Sequence, residues 1–549
     1  MKKRTQTIFL LLLSLSLSAF TQIDPIQKGI DAVSPAAIKA QLDFLASDVM
    51  MGRNTGEKGG FTAAEYIASI MATYGVAPGG DIKTLREEPT ASWRDRKREK
   101  YRSYYQDFSL IKYRPGKEQH LEILTDGVAG EKVILSHGTD YKVGIRTAGA
   151  AFTAPLVFIG YGINDSVSGW NDFNKVDLAG KIVVRCYGYP GRGDSLSKGY
   201  EAFNSRIKDW QTSPLSNRND WIEGALAVID IPEGRDPLER WSVNDPDQQP
   251  PDWYEGDKEY VWDGWRMELA SDSIGRGPIR ITLSKRAWNL LSDGLKIDLE
   301  GYKKAAAEMK TTRAQALNGK QISLLTTTES EVITARNVVG YIAGVDTTRY
   351  IVVGAHYDHM GSWEGYVFNG ADDNASGTVG VLATAGACMA TGQKPPVTIV
   401  FAAWTGEEKG LLGSEYFVEN PFLPLAQTML NINYDMISRN TSTDTLKNEC
   451  SISFSKDRTE LKKISKANIE RYKIDLNVRF RASTGQWGGS DYVPFGRKGV
   501  PFIANMAAFH TEYHTPTDDS WKCDTEKMAR IVRLNFATLW ELAGQEEEK

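Results

Sequence analysis

Beyond about Val332 the chain alternates between two kinds of apolar run, and this constrains its fold more than any other feature. Val338–Ile342, Tyr350–Val353, Val397–Ala403, Met429–Tyr434 and Val500–Ala504 are short, continuous and rich in β-branched residues. Gly377–Ala390 and Leu411–Val418 lie between them and read as helices. Unbroken apolar strands alternating with helices predict an α/β fold, a mostly parallel central sheet flanked by helices. Such sheets carry their sites beyond the C-terminal ends of the strands. Histidines and acidic residues follow these runs at just those points.

The preceding sequence differs. Residues 36–77 predict two helices, with Ile38, Leu42, Leu45 and Ala46 on one and Ala63, Ala64, Ile67, Ile70 and Met71 on the next, broken at Gly52 and Gly56. Asp81–Tyr105 is charge-rich and reads as a surface excursion. Leu156–Gly160, Lys181–Cys186 and Ala225–Ile231 predict strands. Asn244–Trp265 reads as a long loop rich in proline and aromatic residues.

A chain of 549 residues exceeds one hydrophobic core and implies at least two domains. Lys+Arg 65 against Asp+Glu 70 gives no basic surface for nucleic acid, so no nucleic-acid partner is expected. Lys2, Lys3 and Arg4 precede an apolar stretch, Ile8–Phe20, that is shorter than the ~20 residues of a membrane span. This predicts a cleaved leader, an exported (periplasmic or extracellular) mature chain and no stable membrane span. Cys186, Cys388, Cys450 and Cys523 have no CxxC spacing, which argues against a thiolate zinc site. Their pairing is not legible, and neither is the oligomeric state.

Five segments carry the chemistry. His356 opens Gly354-Ala355-His356-Tyr357-Asp358-His359, where the imidazole can ligate a metal while Asp358 accepts its other N–H. In Gly370–Gly377, one of Asp372, Asp373 and Asn374 is expected to cap the following helix, and an aspartate is available to bridge two metals. Glu407 and Glu408 are adjacent beyond a buried strand. A division of labour follows, with one a metal ligand and the other a proton acceptor. Asp435 ends the next run, and His514 lies in His510-Thr511-Glu512-Tyr513-His514-Thr515-Pro516. Pro516 and the misplaced glutamate exclude a helical HExxH motif there.

GAHYDH, GADDNASG, TGEEKGLLGS, NYDM and YHTPTD, in this order, resemble the dizinc aminopeptidase family of metallopeptidases. Its relatives include bacterial leucyl aminopeptidase, glutamate carboxypeptidase II, glutaminyl cyclase and the inactive transferrin receptor. Leu45-Ala46-Ser47-Asp48 and Gly52-Arg53 resemble the start of that domain. Asp177–Val184 and Gly224–Ile229 resemble an inserted, β-rich protease-associated domain. The resemblance implies a leader over 1–21, peptidase segments over 22–115 and 326–549, and the insertion over 116–325.

The resemblance also implies two Zn2+ per chain. His356 and Asp435 would hold one and Glu408 and His514 the other. Asp373 would bridge them through a cis bond to Asn374, with Glu407 as general base and Asp358 as the catalytic partner of His356. Gly488–Tyr492 resembles a pocket-lining segment, and Trp487 is a candidate pocket wall. The activity implied is an exported exopeptidase, an aminopeptidase before a carboxypeptidase, acting on peptides. A single-zinc acyltransferase like glutaminyl cyclase and a non-catalytic binding protein are the alternatives.

Overall fold

In the strands Asp346–His356 and Val397–Trp404 of the central sheet, successive residues enter opposite cores. Ile351, Val353, Ile399 and Phe401 join one buried cluster, and Tyr350, Val352, Val400 and Trp404 join another. The period of two in a strand buried on both faces explains why these runs are apolar throughout. The computed structural model describes residues 24–84, 100–126, 131–144, 148–173, 176–207, 213–215, 222–234, 236–238, 265–270, 277–310, 314–363 and 365–545. The leader and most of the Asn244–Trp265 loop lie outside these residues.

The chain forms two compact units, Met1–Asp107 with Arg336–Lys549, and Phe108–Ala335. In the first, helices α1 (Pro35–Leu45) and α2 (Lys58–Tyr74) precede β1 (Gln315–Ile342), whose last residues belong to this unit, and β2 (Asp346–His356). Then follow α3 (Gly377–Ala390), β3 (Val397–Trp404), α4 (Leu412–Glu419), β4 (Thr428–Tyr434), β5 (Glu449–Ser455), α5 (Glu460–Arg471), β6 (Asn477–Ser483), β7 (Phe502–Met506) and α6 (Thr525–Ala543). The strand order is β6-β5-β7-β4-β2-β3-β1. Pairs β6/β5, β7/β4, β4/β2 and β2/β3 are parallel, while β5/β7 and β3/β1 are antiparallel.

Helices α1, α2, α3 and α6 cover one face through residues such as Leu42, Ile67, Leu382 and Phe536. Phe417 of α4 and Phe495 cover the other, packing on Trp404. A Cβ on Gly354 would meet Trp404 Nε1 at 2.6 Å, so only glycine lets that indole lie across β2. The predicted break between α1 and α2 is a 3-10 turn, Asp48–Arg53, with Gly52 and Gly56 at φ of 66° and 74°. The predicted excursion contains a short antiparallel pair, Ile82–Thr84 with Lys100–Arg102.

The second unit has its own core. Its strands Ala150–Phe158, Ile182–Arg185, Ala227–Asp230 and Ile279–Leu283 run parallel in that order. Leu156, Val184, Ile229 and Ile281 pack there with Trp170, Phe203 and Tyr302. Among its described residues it also has three helices, Lys198–Ile207, Lys285–Ser292 and Leu299–Ala307, but strands predominate. Among the described residues, no disulfide joins Cys186, Cys388, Cys450 or Cys523. Among the described residues, no helix is long and apolar enough to cross a membrane.

Candidate active site

The parallel order β4-β2-β3 brings three strand ends together. Trp404 pairs with His356, and Gly354 with Asn433, so the loops after these strands leave the sheet side by side. His356 ends β2, Glu407 and Glu408 follow β3, and Asp435 follows β4. β7, parallel to β4, delivers the turn that carries His514. All five sequence-predicted ligands and Glu407 converge at this edge.

His356 Nε2 lies 3.4 Å from Asp373 Oδ1, 3.5 Å from Asp435 Oδ1 and 3.9 Å from Glu407 Oε2. His514 Nε2 lies 3.1 Å from Asp373 Oδ2 and 3.2 Å from Glu408 Oε2. Asp373 therefore presents one oxygen to each side. Its bond to Asn374 is cis. The three candidate caps divide their tasks. Asn374 Oδ1 accepts the Gly377 N–H at 2.8 Å, while Asp372 Oδ1 accepts from the N–H and hydroxyl of Ser438. Asp373 is left to face the site.

Two sets of side chains have ligand atoms close enough to share a cation: His356, Glu407 and Asp435, and His359, Asp373 and Glu408. His359, which the sequence does not single out, belongs to the second set. The signal was its place at the end of GAHYDH, but nothing local shows that it is fully buried against Glu408. Its Nδ1 lies 2.7 Å from Glu408 Oε1 without hydrogen-bond alignment. Both its ring nitrogens, His514 Nε2 and Glu408 Oε1 are buried without a hydrogen-bond partner among the described residues. Orphaned imidazole nitrogens beside an excess of carboxylates make a donor set that fits zinc.

The expected role of Asp358 is corrected. His356 Nδ1 meets the backbone carbonyl of Asp358 at 3.2 Å, and the carboxylate is 3.8 Å away. That carboxylate instead accepts from Thr55 Oγ1 at 2.8 Å and from the Glu407 N–H at 3.2 Å. Its task is to anchor the backbone of Glu407. Asp435 is oriented similarly: its Oδ2 accepts from Ser490 Oγ at 2.5 Å, and Asn433 Nδ2 donates to that hydroxyl at 2.7 Å. Tyr492 lines the adjoining cavity and stacks on Phe502, whereas Trp487 lies beneath Arg497 and is half exposed.

Arg53 was legible only as part of a resembling segment. It is fully buried, and its guanidinium donates to the carbonyls of Tyr357, Leu45, Asn369 and Gly370 at 2.6–2.8 Å. It thus ties the loop after β2 to the turn holding Asp373. Burial lowers its pKa to about 10, against the pull of Asp358 and Asp373.

The adjacent glutamates differ electrostatically. Burial raises the Glu407 carboxyl well above its ordinary range; His356 opposes this, and Asp491, Glu408 and Asp435 add to it. Burial would raise Glu408 too, but His359 and then His514 outweigh it and hold that carboxyl well below. Burial lowers the His514 imidazole, and Asp373 and Glu408 more than reverse this, to about 10.

Residues 337–539, which include every one of these strand-end side chains, match the model of peptidase family M28. This stretch is a peptidase family M28 domain. The chain is 28% identical over 473 residues to a glutamate carboxypeptidase 2 homolog of Caenorhabditis briggsae, covering 76% of this chain and 60% of the relative. It is 30% identical over 178 residues to leupeptin-inactivating enzyme 1 of Streptomyces exfoliatus, covering 32% and 37%. The chain thus spans 60% or less of the length of these two curated relatives. An aminopeptidase from Aneurinibacillus sp. strain AM-1 shares the fold, with a TM-score of 0.50 and 18% identity over 94% of this chain and 95% of that one. In the M28 domain, the mixed, mostly parallel sheet presents the candidate site at its strand ends.

Proposed function

We propose that the chain is an exported, zinc-dependent exopeptidase that removes N-terminal residues from peptides. His356 and Asp435 would hold one zinc, Glu408 and His514 the other, with Asp373 between them and His359 behind Glu408. The observation that carries this reading is Asp373, whose two oxygens face the two ligand groups while Glu407 stands free of the second group. The M28 match supports peptide hydrolysis, and the basic and apolar leader supports export.

Zinc held there would polarise the scissile carbonyl and make water acidic near neutral pH. The chain's own residues do the rest. Glu407, a stronger base than a surface glutamate because burial raises its carboxyl, takes a proton from the attacking water and passes it to the leaving amine. Asp358 and Thr55 hold the Glu407 backbone in place. Ser490 fixes Asp435 in one orientation.

The test is a panel of aminoacyl chromogenic substrates, with peptides blocked at either end, assayed with and without chelator. Chelator-sensitive release of unblocked N-terminal residues is expected. Cleavage of N-blocked peptides alone would replace the aminopeptidase with a carboxypeptidase. Chelator-resistant cleavage would end the metal reading.

A further inference from the structure

A cavity of about 260 Å³ adjoins the site. Its acids, Asp373, Glu407 and Asp435, are all metal-site residues. Among the described residues, Arg481 is its one arginine or lysine. Arg481 sits on the edge strand β6, paired with Ser453, and its side chain has no ion pair or hydrogen bond among the described residues. Sheet register sets its position. Arg481 pairs with Ser453, Ser453 with Ala504, and Ala504 with Asn433, two residues before Asp435. These four directly opposed residues share one face and all line the cavity. The floor thus crosses three strand spacings, about 14 Å, from the metal end to Arg481. An arginine side chain reaching back along it leaves a gap of about one substrate residue with its side chain.

On the metallopeptidase reading above, we propose that this cavity seats a substrate residue bearing a carboxylate and that Arg481 selects it. A carboxylate there would pair with the guanidinium at the end of the cavity away from the metal ligands, which fixes its direction. A guanidinium can bind it in bidentate fashion. A neutral residue in the same place would cover the guanidinium without pairing it, so the preference follows from both attraction and mismatch. The carboxylate could belong to an acidic side chain or to the C-terminus of a short peptide, and the two sources are separable.

The experiment compares kcat/KM for Ala-Glu and Ala-Gln, each with a free or amidated C-terminus, and for Glu- and Gln-p-nitroanilide. The enzymes are wild type, Arg481→Met and Arg481→Lys. Calorimetry on zinc-loaded Glu407→Gln, with and without Arg481→Met, reports binding of the same peptides independently of turnover. The wild type should favour the acid over its amide at least about tenfold, the factor expected of one charge-assisted hydrogen bond. Arg481→Met should bring that ratio near one, and Arg481→Lys should retain part of it. A Glu-over-Gln preference that survives C-terminal amidation identifies the side chain as the source, and a free-over-amidated preference equal for Glu and Gln identifies the terminus. Wild-type ratios near one in both pairs, or ratios unchanged in Arg481→Met, overturn the proposal. If no peptide is cleaved, the activity reading fails, and the calorimetric ratio still decides the role of Arg481.

Discussion

Glu407 and Glu408 are adjacent yet shifted in opposite directions, and the difference comes from what each one faces. Glu408 lies against two imidazoles, while Glu407 lies among acids with one histidine opposite. The sequence shows the pair but not the partners, because His359 and His514 reach Glu408 from distant loops. Asp358 shows the same limit. Its spacing from His356 was legible, yet the imidazole takes the nearer backbone carbonyl and leaves the carboxylate for Thr55 and Glu407. Asp358→Asn should therefore lower kcat about 10- to 100-fold with little change in zinc content, since misplacing a catalytic group costs of this order. Zinc loss with an unchanged kcat per metal would instead make Asp358 a ligand-orienting residue. Arg53→Leu leaves four buried carbonyls without donors and should cost at least about 3 kcal/mol in urea unfolding.

At the scale of elements, the M28 domain is legible wherever apolar runs are continuous. The helix predicted over Gly377–Ala390 has those bounds, and the strand predicted over Val397–Ala403 extends one residue to Trp404. The last strand is displaced, Phe502–Met506 rather than Val500–Ala504, because Val500 packs beside Phe495 and Trp404 before the strand begins. Arg53 shows what no local pattern carries: its carbonyl partners around 357 and 370 lie some three hundred residues away in sequence.

In the second unit, Arg206 of the helix Lys198–Ile207 grips both oxygens of Asp165, at 3.0 and 2.6 Å. Burial pushes the Asp165 carboxyl up, but Arg206 and Ser168 outweigh it and hold it at about 2. A carboxyl depressed in the folded state adds stability above its unfolded pKa and loses it as pH falls through the folded value. Asp165→Asn should thus cost about 2 kcal/mol at neutral pH, with the difference from wild type closing between about pH 4 and pH 2. An equal gap across that range would show that packing, not the ion pair, is at stake.

For the whole molecule, the unpartnered donors at the M28 strand ends would, on the zinc reading, hold zinc in the folded chain and not in the unfolded one. Chelation should lower Tm, and restored zinc should raise it again. Metal at a thousandfold excess over Kd contributes about 4 kcal/mol. A Tm indifferent to chelator and to zinc would mean that these side chains hold no metal. The most direct test of the account is Glu407→Gln, measured for zinc content by elemental analysis and for turnover on an unblocked peptide. The expected result is two zinc ions per chain, as in the wild type, with turnover lower by at least about a hundredfold. A variant that keeps both zinc ions and the wild-type rate would contradict the assignment of Glu407 as the base.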